Sequence, residues 1–196
     1  MSPLTPVLSQ PASFIQAVAQ LHDFDWDERW IVSSMDPPQH IAPFAAAIDA
    51  DIRRDGDLAS GRLILLHDPA GNDIWHGDFR CVTFCQADVS AEMAHDPFLP
   101  EVGWSWLMDS LTSRQAQFVA ESGTITTTAS TPFGSRQADP ATAQIEMRAS
   151  WTPLLQAGNG LTDHIAAWQD LISAVAGLPP LSNTVIHLSD RLGRRV

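Results

Sequence analysis

The sequence predicts an α+β protein in which a five-stranded antiparallel sheet is packed by helices, in the order α-βββ-α-ββ-α. Three observations carry that reading. Between Phe44 and Trp151, short runs place apolar residues at every second position, the period of a half-buried strand. Runs with a helical period stand before, among and after them, at Phe14–Leu21, Trp104–Leu111 and Ile165–Val175. The strand runs come in groups and do not alternate strictly with helices, which separates this class from parallel α/β folds.

The 196 residues divide into a loose N-terminus at 1–10, a single α+β domain at 11–180 and a C-terminal tail at 181–196. The first helix is expected at about 11–24, behind Pro11, with Phe14, Val18 and Leu21 as its stripe. Asp23–Pro43 reads as an irregular stretch, broken at Asp36-Pro37-Pro38, that drapes Trp26 and Trp30 over the core. The first strand follows, with Phe44, Ala46, Ile48, Ala50 and Ile52 on one face and Asp49, Asp51 and Arg53 on the other. Asp55-Gly56 marks a hairpin turn into Arg62–Leu66, which is apolar on both faces and therefore central. His67–Gly77 reads as a connection and Phe79–Asp88 as the third strand.

The central helix is expected over Asp96–Ala116. Asp96 can cap it, Pro97 and Pro100 suit a first turn, and Glu101 lies near the positive end of the dipole. Trp104, Leu107, Met108 and Leu111 form its apolar face. Trp106 falls about 200° from Trp104, so the two indoles cannot share one pocket. Trp106, with Val102 one turn before it, is expected to meet either the Asp23–Pro43 segment or a second chain. Thr124–Ser130 reads as the fourth strand, Pro132–Thr142 as a loop, and Ala143–Trp151 as the fifth strand with Ile145, Met147, Ala149 and Trp151 inward. The last helix begins with Thr162 as cap and Asp163 in its first turn. Ile165, Trp168, Ile172 and Val175 are its stripe, and Gly177 and Pro179-Pro180 stop it.

Charge and composition exclude several functions. The net charge is −12, from 23 acids against 11 bases, and every base is arginine. Without lysine there is no Schiff-base chemistry and no P-loop lysine. The acidic balance disfavours nucleic acid and favours basic partners. Arg191, Arg194 and Arg195 read as a solvated tail. No apolar run is long enough for a transmembrane helix, and the N-terminus lacks the basic region of a signal peptide, so the expected location is cytoplasmic. Cys81 and Cys85 share one strand face about 13 Å apart, too far for a disulfide, and read as buried thiols.

One stretch gathers titratable groups: His67, Asp68, Asn72, Asp73, His76 and Asp78. Such residues can ligate a metal or do acid–base work, but their spacing matches no ligand pattern, and Asx turns in a strand connection explain the same residues. Gly103-Trp104-Ser105-Trp106-Leu107 lacks the final glycine and the preceding strand of a nucleophile elbow. No catalytic residue, metal ligand or cofactor is assigned. The residues singled out as a binding surface are His67, Asp68, Asn72, Asp73, Trp75, His76, Arg80, Glu101, Val102, Trp106 and Trp151, since tryptophan and arginine anchor partners.

Gly61-Arg62-Leu63-Ile64-Leu65-Leu66-His67-Asp68-Pro69-Ala70-Gly71, Gly77-Asp78-Phe79-Arg80, Leu99-Pro100-Glu101-Val102-Gly103-Trp104-Ser105-Trp106-Leu107, Arg148–Pro153 and Ala176–Pro180 together resemble one actinobacterial family, the domain of unknown function 3000 family, over roughly residues 11–180. The resemblance implies no activity and no catalytic residues. It implies a gene neighbourhood near a ribonuclease-D-like exonuclease. The element order is also similar to that of secretion-chaperone-like and YbjN-like proteins, which are small acidic binding proteins. The expected function is a non-enzymatic binding or adaptor protein acting through a protein partner or self-association. The alternatives are a hydrolytic or metal-dependent enzyme using the His67–Asp78 loop and an accessory factor in RNA processing.

Overall fold

The computed structural model describes residues 9–53 and 57–178. The expected Asp55-Gly56 turn, most of the N-terminal stretch, Pro179-Pro180 and the arginine-bearing tail lie outside the described residues. The elements run α1 (Ala12–His22), β1 (Trp30–Met35), β2 (Phe44–Arg53), β3 (Asp57–Asn72), β4 (Gly77–Asp88), α2 (Ala91–Ala94), α3 (Leu99–Ser113), β5 (Phe118–Ser130), β6 (Thr142–Pro153) and α4 (Leu161–Val175), with one 3-10 turn at Gly134–Arg136. All strands pair antiparallel in the order β1-β2-β3-β4-β6-β5. The fold is α+β, as expected, but the sheet has six strands where five were expected.

The added strand is β1. Trp30 and Val32 turn towards the core while Ile31 and Ser33 face outward, so the period of two is present over a short span. It pairs with β2 from Trp30↔Ile52 to Met35↔Ala47. β3 is also longer than Arg62–Leu66. It continues through His67 to Asn72, and a register irregularity between His67 and Asn72 admits Pro69, which has no N–H to give, and Gly71 at φ 79°. Only residues 73–76 remain as the hairpin tip.

Each strand sends alternate residues to one face, and the rows that result explain where the helices lie. Ala50, Gly61, Cys85, Met147 and Ile125 are successive neighbours across β2, β3, β4, β6 and β5. Ile48, Leu63, Thr83, Ala149 and Gly123 form the next row. Glycine opens each row at the point where a helix descends. A Cβ at Gly61 would overlap Ile172 Cδ1 and come within 3.0 Å of Trp168 Cζ2, so α4 seats there. A Cβ at Gly123 would stand 2.8 Å from Trp104 Cζ3, so α3 seats its first tryptophan there. α4 crosses β3 and β4 and packs against both α1 and α3. Trp168, fully buried, donates its Nε1–H to Thr83 Oγ1 at 2.7 Å and takes Trp26 edge-on at 5.9 Å.

The helix ends differ from expectation. Asp96 does not cap α3. Its Oδ1 accepts the Phe98 N–H in a turn, and Phe98 occupies the cap position with no side-chain bond. A short helix, α2, precedes it, capped by Ser90 Oγ on Met93 N–H. Thr162 is not the cap of α4 either. Gly160 holds the cap position at φ 100°, and the free N–H groups of Gly160 and Thr162 are accepted by Gln20 Oε1 from α1. The far end of α4 closes as expected on Gly177 (φ 66°), with Leu178 N–H on Ser173 O and Gly177 N–H on Ala174 O, a Schellman pair.

Candidate interaction surface on the sheet edge

The His67–Asp78 residues do not converge. His67 lies in β3 and is 1% exposed. Its ring stacks on Phe79 at 4.1 Å and faces Phe14 at 5.8 Å, and its Nδ1–H donates to Asp78 O. Strand alternation sends Asp68 to the opposite face. Asp68 Oδ1 accepts Ala70 N–H, and Asn72 Oδ1 accepts the N–H groups of Ile74 and Trp75, so both side chains fold the hairpin backbone. Asp73 and His76 are exposed at the tip, where His76 adopts φ 59°. Trp75 is half-buried, and its carbonyl accepts the Thr152 hydroxyl. Among the described residues no group of three or more His, Cys, Asp or Glu is arranged to hold a metal ion.

Three of the sequence candidates are not surface residues. His67 is core, as above. Trp151 is fully buried, since an inward position of a central strand leaves no route to solvent, and its indole N–H donates to His164 Nδ1 at 3.0 Å. Arg80 is 8% exposed. It donates from Nη1 to Ala120 O (2.7 Å) and Thr152 Oγ1 (3.0 Å), and from Nη2 to Ser122 Oγ (3.2 Å) and Ser150 Oγ (2.7 Å). Burial pulls its pKa below the usual arginine range. These bonds clamp a bulge in β5 between Val119 and Ser122, where Ala120 stands at φ 54°. Arg80 thus fixes the course of an edge strand.

On α3, Glu101 and Val102 are exposed, and Trp106 is half-buried against the core. The buried line of α3 is Leu99, Gly103, Leu107 and Leu111, with Trp104 and Trp106 on its two flanks. Trp26 and Trp30 pack on Trp168 of α4, which takes up the indoles expected to cover Trp106.

What the sequence reading missed is the edge itself. β5 is the last strand of the sheet, and from Ser122 to Ser130 its register on β6 is unbroken. This span, Ser-Gly-Thr-Ile-Thr-Thr-Thr-Ala-Ser, has no charged residue and no proline, the two usual blocks to edge pairing. It offers about 30 Å of strand at about 3.3 Å per residue. The opposite edge, β1, spans six residues and runs into Asp36-Pro37-Pro38. Exposed apolar side chains stand on the elements beside β5. Phe98 (65%) and Val102 (44%) are one helical turn apart at the start of α3, and Phe133 (79%) follows the end of β5. The composition of Thr124–Ser130 was the only available signal, and composition does not say which strands lie at an edge.

These features define an α+β protein with an open antiparallel sheet of six strands, helices seated on one face and, among the described residues, one long edge with no strand beyond it. The chain belongs to the family described as Protein of unknown function (DUF3000), whose model matches residues 10–185. No curated protein and no solved structure matches it. Among the described residues no helix is long and apolar enough to cross a membrane.

Proposed function

We propose that this protein is a non-enzymatic binding module of the adaptor type, and that an extended segment of a partner protein adds to β5 as a seventh strand. The observation that carries the reading is the uncharged, proline-free Ser122–Ser130 edge. Added strands gain affinity from main-chain hydrogen bonds and specificity from pockets for alternate side chains, and Phe98, Val102 and Phe133 supply apolar surface for the latter. A net charge of −12 favours a basic partner over a second copy of the chain. The element order, similar to that of secretion-chaperone-like proteins, supports the same class, with β1 and α2 as additions to it. An enzyme built on His67–Asp78 has less support, because His67 faces the core and Asp68 and Asn72 are committed to turns.

The test compares wild type with the Thr126→Lys, Thr128→Lys double variant, both exposed positions of β5. A partner captured from native lysate should be lost by the variant with its melting curve unchanged. Amide exchange in the purified complex should slow across residues 122–130. Exchange there that is unaltered by the partner overturns the reading. Slowing that grows with protein concentration in the absence of any partner assigns the edge to a second copy and overturns it equally.

A further inference from the structure

The turn that leads into α4 is clipped to α1 through one side chain. Gln156 and Asn159 exchange both main-chain bonds, each at 3.0 Å, around Ala157 (φ 51°) and Gly158 (φ 85°). The turn lies tight on the start of α1, since a Cβ on Gly158 would overlap the Ser13 carbonyl oxygen. Gln20 holds the turn with both ends of its amide. Its Nε2 donates to Gly158 O at 2.6 Å, and its Oε1 accepts the Gly160 N–H at 3.1 Å and the Thr162 N–H at 3.3 Å.

The clip falls on a chemically reactive pair. The chain has three asparagines, Asn72, Asn159 and Asn183, and only Asn159 is followed by glycine. The side-chain amide of an asparagine is open to attack by the main-chain nitrogen of the next residue, and glycine, with no Cβ, hinders that approach least. Asn159 and Gly160 are both exposed, so water reaches whatever forms there. Asn159 Nδ2 is tied by a solvent-exposed bond to Gln156 O at 3.2 Å. The attacking nitrogen must first give up its proton, and in the fold that proton is the one donated to Gln20. Reaction therefore waits on local opening of the clip.

We propose that Asn159-Gly160 is a site of spontaneous deamidation and that Gln20 restrains it by holding the Gly160 N–H. In the first step Gly160 N loses its proton to hydroxide and bonds to Asn159 Cγ, the Cγ–Nδ2 bond breaks, and Nδ2 leaves as ammonia. Water then opens the cyclic imide at either carbonyl and leaves aspartate or isoaspartate, with a gain of negative charge and no oxidant or cofactor. In isoaspartate the main chain runs through the former side chain and is longer. Gly160 then leaves its place on Gln20 Oε1, and α1 loses its clip on α4. The site does not use the β5 edge, so either assignment can fail without the other.

The experiment incubates the full chain at mildly alkaline pH and follows residue 159 by peptide mass spectrometry and isoaspartate detection, with amide exchange read at Gly160. Wild type should convert slowly. Gln20→Met, which removes the acceptor, should convert about tenfold faster, the rate equivalent of about 1.4 kcal/mol. Gln20→Glu keeps an acceptor oxygen and should stay near wild type, and Asn159→Gln should show no conversion at this position. The separated isoaspartyl fraction should melt below the unmodified protein. Equal rates in wild type and Gln20→Met, no conversion in either, an unprotected Gly160 amide in wild type, or an isoaspartyl fraction that melts like the unmodified protein would each overturn the proposal. The exchange measurement needs no variant, so the test stands if Gln20→Met fails to fold.

Discussion

The pair Trp151–His164 makes stability depend on pH in a way that can be worked out. His164 is 1% exposed in the first turn of α4, and its Nδ1 receives the Trp151 indole N–H at 3.0 Å. An indole nitrogen can only donate, so Nδ1 must be unprotonated and the imidazole neutral. A proton on Nδ1 would set donor against donor in a buried site. Burial pushes the His164 pKa down from 6.5 to about 4, and the backbone bond to Gln117 offsets only part of that.

The sign follows from proton counting. Between about pH 6.5 and 4 the unfolded chain holds a proton on this histidine and the folded chain does not, so stability rises with pH across that window. The contribution is fully present above 6.5 and is lost as pH falls through the window. At about 1.4 kcal/mol for each pH unit, the gap from 6.5 to about 4 amounts to about 3 kcal/mol, of which about 2 kcal/mol is gone by pH 5. Urea unfolding of wild type and His164→Gln at pH 7, 6, 5 and 4 measures it. Glutamine retains an acceptor for the indole and does not titrate, and the carboxylates common to both proteins cancel in the difference. Wild type should lose about 2 kcal/mol more than the variant between pH 7 and pH 5. Parallel stability curves for the two proteins would refute the neutral, indole-bonded assignment.

Two further outcomes test the packing. Trp168→Ala should lower stability by about 3–5 kcal/mol, because the ring is fully buried, props Trp26 and Trp30 and satisfies Thr83; a denaturation midpoint within experimental error of wild type would mean that α4 is not seated on Gly61. Cys81 and Cys85 should not react with a thiol reagent at pH 8 until the chain is unfolded, since both are fully buried, with burial raising the Cys81 pKa and pushing that of Cys85 up to about 12; stoichiometric labelling of the native protein would contradict this.

The inward faces were legible because hydrophobic alternation and strand geometry share a period. Ile145, Met147, Ala149 and Trp151 are all buried, as are Ile165, Trp168, Ile172 and Val175 on α4. Other features were hidden for identifiable reasons. β1 lies between an acidic run and a proline break, and its six residues are too few to stand out. The extension of β3 passes through Pro69-Ala70-Gly71, which spells a turn unless the partner strand supplies an irregular register. The α4 cap comes from Gln20, on another helix, and no local pattern can announce an acceptor 140 residues away in sequence. Of the binding-surface candidates, Trp151 and His67 lie inside because their strand positions face the core, while Arg80, on the opposite face of β4, is covered by its bonds to Ala120, Ser122, Ser150 and Thr152.

The Pro100–Leu107 segment shows how a distinctive motif can be structural. Its apolar residues suggested a face through Trp104, Leu107, Met108 and Leu111, a pattern that ignores glycine. In the fold the line of closest approach passes through Gly103, where a Cβ would stand 3.3 Å from Ile145 Cδ1. That rotates the helix, leaves Met108 half-buried, and carries Trp104 over to the space left open at Gly123. Two glycines far apart in sequence, one on a helix and one on an edge strand, thus make one joint, with Trp104 as its wedge. The joint sets α3 beside β5, which among the described residues pairs with a strand on one side only. Under the proposed strand addition, the most recognisable segment of the chain would act through placement: it holds the edge strand against the helix layer, and the residues that would meet a partner are the plain threonines beyond it.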